Sequence, residues 1–63
     1  MESMTHLTLD LPADQAHALA QFLKLAGLDD YRRLAVDLDE ARAMLDSGER
    51  LRAALAAAGH APR

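Results

Sequence analysis

The chain has 63 residues, no cysteine and a formal net charge of −3. That length holds one small domain, and the missing cysteines exclude disulfide staples and thiolate metal sites. Its apolar content rests on 14 Ala and 12 Leu, with one Phe, one Tyr, one Val and no Ile or Trp, so its core of large side chains is thin.

Residues 1–4 read as a loose start, with Met4 as an alternative initiator. In residues 5–11, Leu7, Leu9 and Leu11 alternate with Thr8 and Asp10. Period two over this length predicts a half-buried β-strand. Pro12 has no N–H to give to a ladder, and its fixed φ suits the first turn of a helix. The spacing then changes. Ala16, Leu19, Phe22, Leu23 and Ala26 predict a helix over 13–26, with Asp14 and Lys24 placed to complement its dipole. Gly27 stands where a C′ glycine would end it.

Asp29 is the expected cap of a second helix over 30–45, with Leu34, Leu38, Ala41 and Leu45 on one stripe. Its charged face offers the pairs Asp29–Arg33, Asp39–Arg42 and Arg42–Asp46. Asp37 and Asp39 allow a different division, a short helix over 30–35 followed by a new one capped by either acid. Asp46, Ser47 and Gly48 punctuate the chain, and Asp46-x-x-Glu49 has the form of a capping box. A third helix is expected over 49–58, with Leu51, Leu55 and Ala58 on one face, ended by Gly59 and Pro62. The alternative is one helix running through Gly48, at about 1 kcal/mol relative to Ala. The domain reading is therefore a loose 1–4, a unit at 5–45 and a C-terminal helix and tail at 46–63.

Catalytic chemistry has little to stand on. A hydrolytic triad needs a nucleophile, a base and an orienting acid together. Ser47 reads as a helix cap, and His6, His17 and His60 are far apart in sequence. No short paired spacing suggests a metal site, and no Gly-rich loop suggests a phosphate. His17 reads as a solvent-facing or partly packed side chain, since neither other histidine partners it at helical spacing. No enzyme, cofactor, metal or small-molecule substrate is expected.

The layout H-L-T-L-D-L-P, then a helix closed by Gly27, then Asp29 before a second helix with Leu34 and Leu38 inward, resembles the ribbon-helix-helix family of Arc-type repressors and related antitoxins. The resemblance covers about residues 5–45. It implies a mainly α fold with one N-terminal β-strand, the strands pairing antiparallel across a homodimer, plus an extra C-terminal helix. It also implies a dimer core of Leu7, Leu9, Leu11, Leu19, Phe22, Leu23, Leu34 and Leu38. The ribbon's outward side chains, here His6, Thr8 and Asp10, would enter the major groove, with Arg32 and Arg33 available to phosphate. That ribbon usually carries Arg, Lys, Asn or Gln, and Asp10 departs from the pattern. The stretches DDYRRLAVD and ALAAAGHAPR are similar to short uncharacterised proteins of proteobacterial plasmids and mobile elements.

Two functional expectations follow. One is a small dimeric regulator, antitoxin-like or a transcriptional repressor, binding DNA through the paired strand and a toxin or other partner through Arg50, Leu51, Arg52 and Leu55. The other is a protein-interaction module or inhibitor from a mobile element, acting on a target complex through the acidic surface of Asp10 and Asp14. Residues 1–31 carry five acids and one base, whereas 32–63 carry five acids and six bases. A lone core below about 70–80 residues seldom supplies more than about 3–5 kcal/mol, so a homodimer is expected. No stretch reaches the length of a membrane span, and the acidic opening MESMTHLTLD is unlike a signal peptide. A cytoplasmic location fits these features.

Overall fold

The computed structural model describes residues 3–60. It holds three helices: α1 (Ala13–Leu25), α2 (Leu28–Leu34) and α3 (Leu38–Ala57). Helix α3 is the spine, and α1 and α2 both pack on it. The molecule measures 33 × 28 × 14 Å. The core lies between α1 and α3, where Ala16, Ala20 and Leu23 meet Leu55.

The expected β-strand is absent. Among the described residues none forms a strand, and 3–11 run extended without regular structure. The regular structure among the described residues is all helical, so the expected class with one N-terminal strand, its antiparallel pairing and the ribbon-helix-helix layout are all corrected. The physical reason is that alternation supplies two faces but no partner. A strand is held by hydrogen bonds to a neighbouring strand, and among the described residues no segment pairs with it to provide them. Leu7 and Leu9 consequently remain 82% and 70% exposed. Only Leu11, next to Pro12, packs against the core.

Helix α1 starts where proline chemistry places it, with Ala16 N–H donating to Pro12 O at 3.0 Å. Its buried side chains are Ala16, Ala20 and Leu23. Leu19 is half-buried beside them, while Phe22 faces outward. Gly27 does not end α1 in a left-handed conformation; it caps α2 instead. The second helix therefore begins before Asp29, and Asp30 does the capping. Its Oδ2 accepts from Gly27 N–H at 2.8 Å.

The stretch expected as one helix over 30–45 is divided at 35–37, as the alternative reading had it. Asp37 is the N-cap of α3, its Oδ1 accepting from Glu40 N–H at 2.8 Å. Glu40 reaches back so that its Oε1 accepts from Val36 N–H at 3.0 Å. From there α3 continues unbroken through the expected stop at 46–48. Ser47 caps nothing; its Oγ donates to Met44 O within the helix. Gly48 is buried at the crossing with α1 and α2. A Cβ there would meet Tyr31 Oη at 2.8 Å and Leu23 Cδ2 at 3.4 Å. The glycine thus serves as a notch for Tyr31, and three buried residues seven apart, Ala41, Gly48 and Leu55, line one face of α3.

Helix α3 ends in a Schellman motif. Gly59 takes φ +92°, with Gly59 N–H donating to Ala56 O at 3.0 Å and His60 N–H to Leu55 O at 2.8 Å.

Candidate functional site

An apolar concavity lies on the α1–α2 side. It is an open groove of about 410 Å³ lined by Phe22, Leu25, Ala26, Asp30, Tyr31, Arg33 and Leu34. The connection between α1 and α2 is two residues long, so the end of α1 and the whole of α2 meet at a tight corner. α1 turns Ala16, Ala20 and Leu23 towards α3, which puts Phe22 and Leu25 on the outer side. α2 is only seven residues long and buries none of them. Its Tyr31 reaches Gly48, while Leu34, in the last position of the helix, is left in solvent. Phe22 is 58% exposed, Leu25 69% and Leu34 78%, and Val36 beyond the corner is also exposed.

The polar edge of this groove is a local ion pair. Arg33 Nη2 stands 2.6 Å from Asp30 Oδ1, in place of the Asp29–Arg33 pair expected from spacing. Asp30 is held below its ordinary carboxylate pKa. The Gly27 N–H bonded to its other oxygen is the main cause; partial desolvation opposes it, and the Arg33 charge and hydrogen bond add to the lowering. Asp29, Asp30, Arg32 and Arg33 together rim a shallower polar depression beside the groove.

The residues expected to read DNA are not brought together. His6, Thr8 and Asp10 are exposed on the extended segment, with a single local contact of 3.5 Å between Thr8 Oγ1 and His6 Nε2. Arg32 and Arg33 are exposed on α2. Of the expected dimer core, Leu23 is buried, Leu11 and Leu19 pack against it, and Leu7, Leu9, Phe22, Leu34 and Leu38 are exposed. Among the residues expected to face a partner, Leu55 is buried against Ala16, Ala20 and Leu23. Leu51 and Arg50 remain exposed, and Arg52 pairs with Glu49 at 2.7 Å. Asp14 is exposed in the first turn of α1.

A juxtaposition that sequence spacing did not show is that of His17 and His60. The Schellman turn folds the chain back from α3 onto α1. His60 Nδ1 comes 3.3 Å from His17 Nε2, with the rings edge to face at 4.6 Å. The G-H pair after the alanine run marks the motif in sequence, but not which helix the histidine would meet. Among the described residues, no group of three or more His, Cys, Asp or Glu side chains gathers as a metal site. None of the described helices is long and apolar enough to cross a membrane.

With this geometry in view, comparison with known families gives one match, a family of unknown function, DUF7706, over residues 1–63. The chain belongs to DUF7706. No curated protein and no solved structure matches it. The described surface of this chain offers an apolar corner, a local ion pair and a histidine pair.

Proposed function

We propose that this DUF7706 protein is a non-enzymatic interaction module that acts as a homodimer, two copies pairing through the α1–α2 face. The observation that carries the reading is the exposed apolar cluster of Phe22, Leu25 and Leu34 around the groove. Contiguous apolar surface on a small chain marks an interaction site. A second copy is the fitting occupant for two reasons. Helix α2 has no fully buried residue, and a two-fold partner supplies cover that the chain's own helices do not. The polar edge carries one acid and one base, Asp30 and Arg33. Such an edge is complementary to itself about a two-fold axis, where a single-signed edge would repel its own copy. A standard interface takes roughly 800 Å² from each partner. That is about one-seventh of the 5253 Å² surface of this chain.

Dimerisation through this corner leaves the acidic N-terminal segment, with Asp10 and Asp14, free for a further protein target. The DNA-reading expectation loses its paired ribbon. Arg32 and Arg33 remain as the phosphate-binding groups on which it would have to rest.

Light scattering and sedimentation across a concentration series test the dimer, with Leu34→Glu and Phe22→Glu as variants. Both side chains are largely exposed, so the variants should fold. The expected result is a wild-type dimer and monomeric variants. A wild-type monomer at hundreds of micromolar would overturn the proposal, as would variants that dimerise normally. Salt-dependent binding to mixed-sequence duplex DNA, lost in Arg32→Ala/Arg33→Ala, would replace it with the regulator reading.

A further inference from the structure

We infer that His17 and His60 form a binding site for a late first-row divalent cation of the zinc, nickel or copper class. The inference does not depend on the proposed dimer. Zinc binds imidazole nitrogen at about 2.0–2.1 Å with tetrahedral angles. Two nitrogens ligating one such ion therefore lie roughly 3.3–3.4 Å apart. His17 Nε2 and His60 Nδ1 are 3.3 Å apart. Without an ion the two nitrogens share one hydrogen bond, which ligation of an ion by both would replace.

The two ligands are held independently. His17 sits within α1, fixed by the helix. His60 occupies the C″ position of the Schellman motif, fixed by its own N–H to Leu55 O at 2.8 Å and by the left-handed Gly59. They are 43 residues apart in sequence, so an ion held by both ties the end of α3 to α1.

The donor set selects the cation. Imidazole nitrogens suit zinc, copper and nickel, whereas calcium and magnesium require oxygen ligands. Two protein ligands leave the other coordination positions to water or to an incoming ligand, so the site is open. Because the ion binds only when both elements are docked, it stabilises the folded chain by mass action.

The test is a titration of the full chain with zinc chloride and, separately, nickel chloride, followed by NMR of the histidine ring signals and by thermal unfolding. Saturable shifts at His17 and His60, with an upward shift in Tm, are expected. His17→Ala and His60→Ala should each abolish both responses. His6→Ala should retain them, and circular dichroism should show all three variants folded. No ring shift at millimolar zinc or nickel would overturn the inference. So would a response that survives His17→Ala, or one that is lost with His6.

Discussion

Gly48 lies in the middle of α3, where glycine weakens a helix by about 1 kcal/mol relative to alanine. Gly48→Ala would recover that amount if nothing stood in the way. The new Cβ, however, would lie 2.8 Å from Tyr31 Oη, too close for the ring to stay where it is. Overpacking costs about 1–3 kcal/mol, and the lower part of that range applies because the obstacle is the tip of a half-buried side chain. In the native background the two effects leave Gly48→Ala between neutral and roughly 1 kcal/mol destabilising. Tyr31→Phe removes the obstructing oxygen. The next contacts, Leu23 Cδ2 at 3.4 Å and the Tyr31 ring carbon at 3.7 Å, are close to ordinary van der Waals separation. In that background Gly48→Ala should stabilise by up to about 1 kcal/mol. The double-mutant cycle should therefore show a coupling of about 1–2 kcal/mol. Thermal unfolding by circular dichroism reads it, since about 1 kcal/mol moves Tm by roughly 4–8 °C in a domain of this size. Equal Tm shifts in both backgrounds would refute the claim that Gly48 is a notch for Tyr31.

Other changes follow from the same geometry. Asp37→Ala removes the side chain that bonds Glu40 N–H and should lower stability by about 0.5–2 kcal/mol, read as a fall in Tm. Leu55→Ala should cost about 2–5 kcal/mol; against so small a core this leaves much of the chain unfolded at room temperature by circular dichroism. Leu7→Ser with Leu9→Ser should change unfolding free energy by less than about 0.5 kcal/mol, because both side chains are exposed; a large loss in denaturant titration would mean that the segment is packed after all. The carboxyl of Asp30 has a lowered pKa in the fold, so its contribution is present above the ordinary carboxylate value of 3.8 and is lost as pH falls through the lower folded value. Asp30→Asn should therefore narrow the stability gap between pH 7 and pH 2, and an unchanged acid profile would contradict that role.

Helix positions were legible in the sequence where one residue type has one physical use. Pro12 before α1, Asp37 before α3 and Gly59 after it stand where the chemistry of caps and stops places them. The strand was misread because alternation of Leu7, Leu9 and Leu11 describes an extended segment equally well when no neighbour exists to bond it. Gly48 was read as punctuation because a glycine that breaks a helix and one that lets a ring approach look alike in one dimension. Phe22 was read as core, yet α1 turns by about one position, so Ala20 takes the inner place. The groove could be traced only in part, through Phe22 and Leu34. The pairing of His17 with His60 depends on how α1 lies across α3, which no local spacing encodes.

The distribution of side-chain size explains why so small a chain carries so much exposed apolar surface. The buried positions are Ala16, Ala20, Ala41 and Gly48, with Leu23 and Leu55 as the large members. Small residues let helices approach closely, but each removes little area from water. The larger groups Phe22, Leu25, Leu34 and Val36 lie mostly in solvent. At about 1.5–3 kcal/mol for full burial of such a side chain, covering them would contribute roughly 5 kcal/mol. That is comparable to the whole stability expected of a core of this size. A close-packed seam of alanine and glycine thus fixes the shape of the molecule, while its largest remaining source of hydrophobic free energy lies on the face it presents outward. Under that division, association through the α1–α2 corner should raise Tm with protein concentration, and Leu34→Glu should remove the dependence while leaving the monomer folded. A concentration-independent Tm in the wild-type chain would show that this surface stays uncovered.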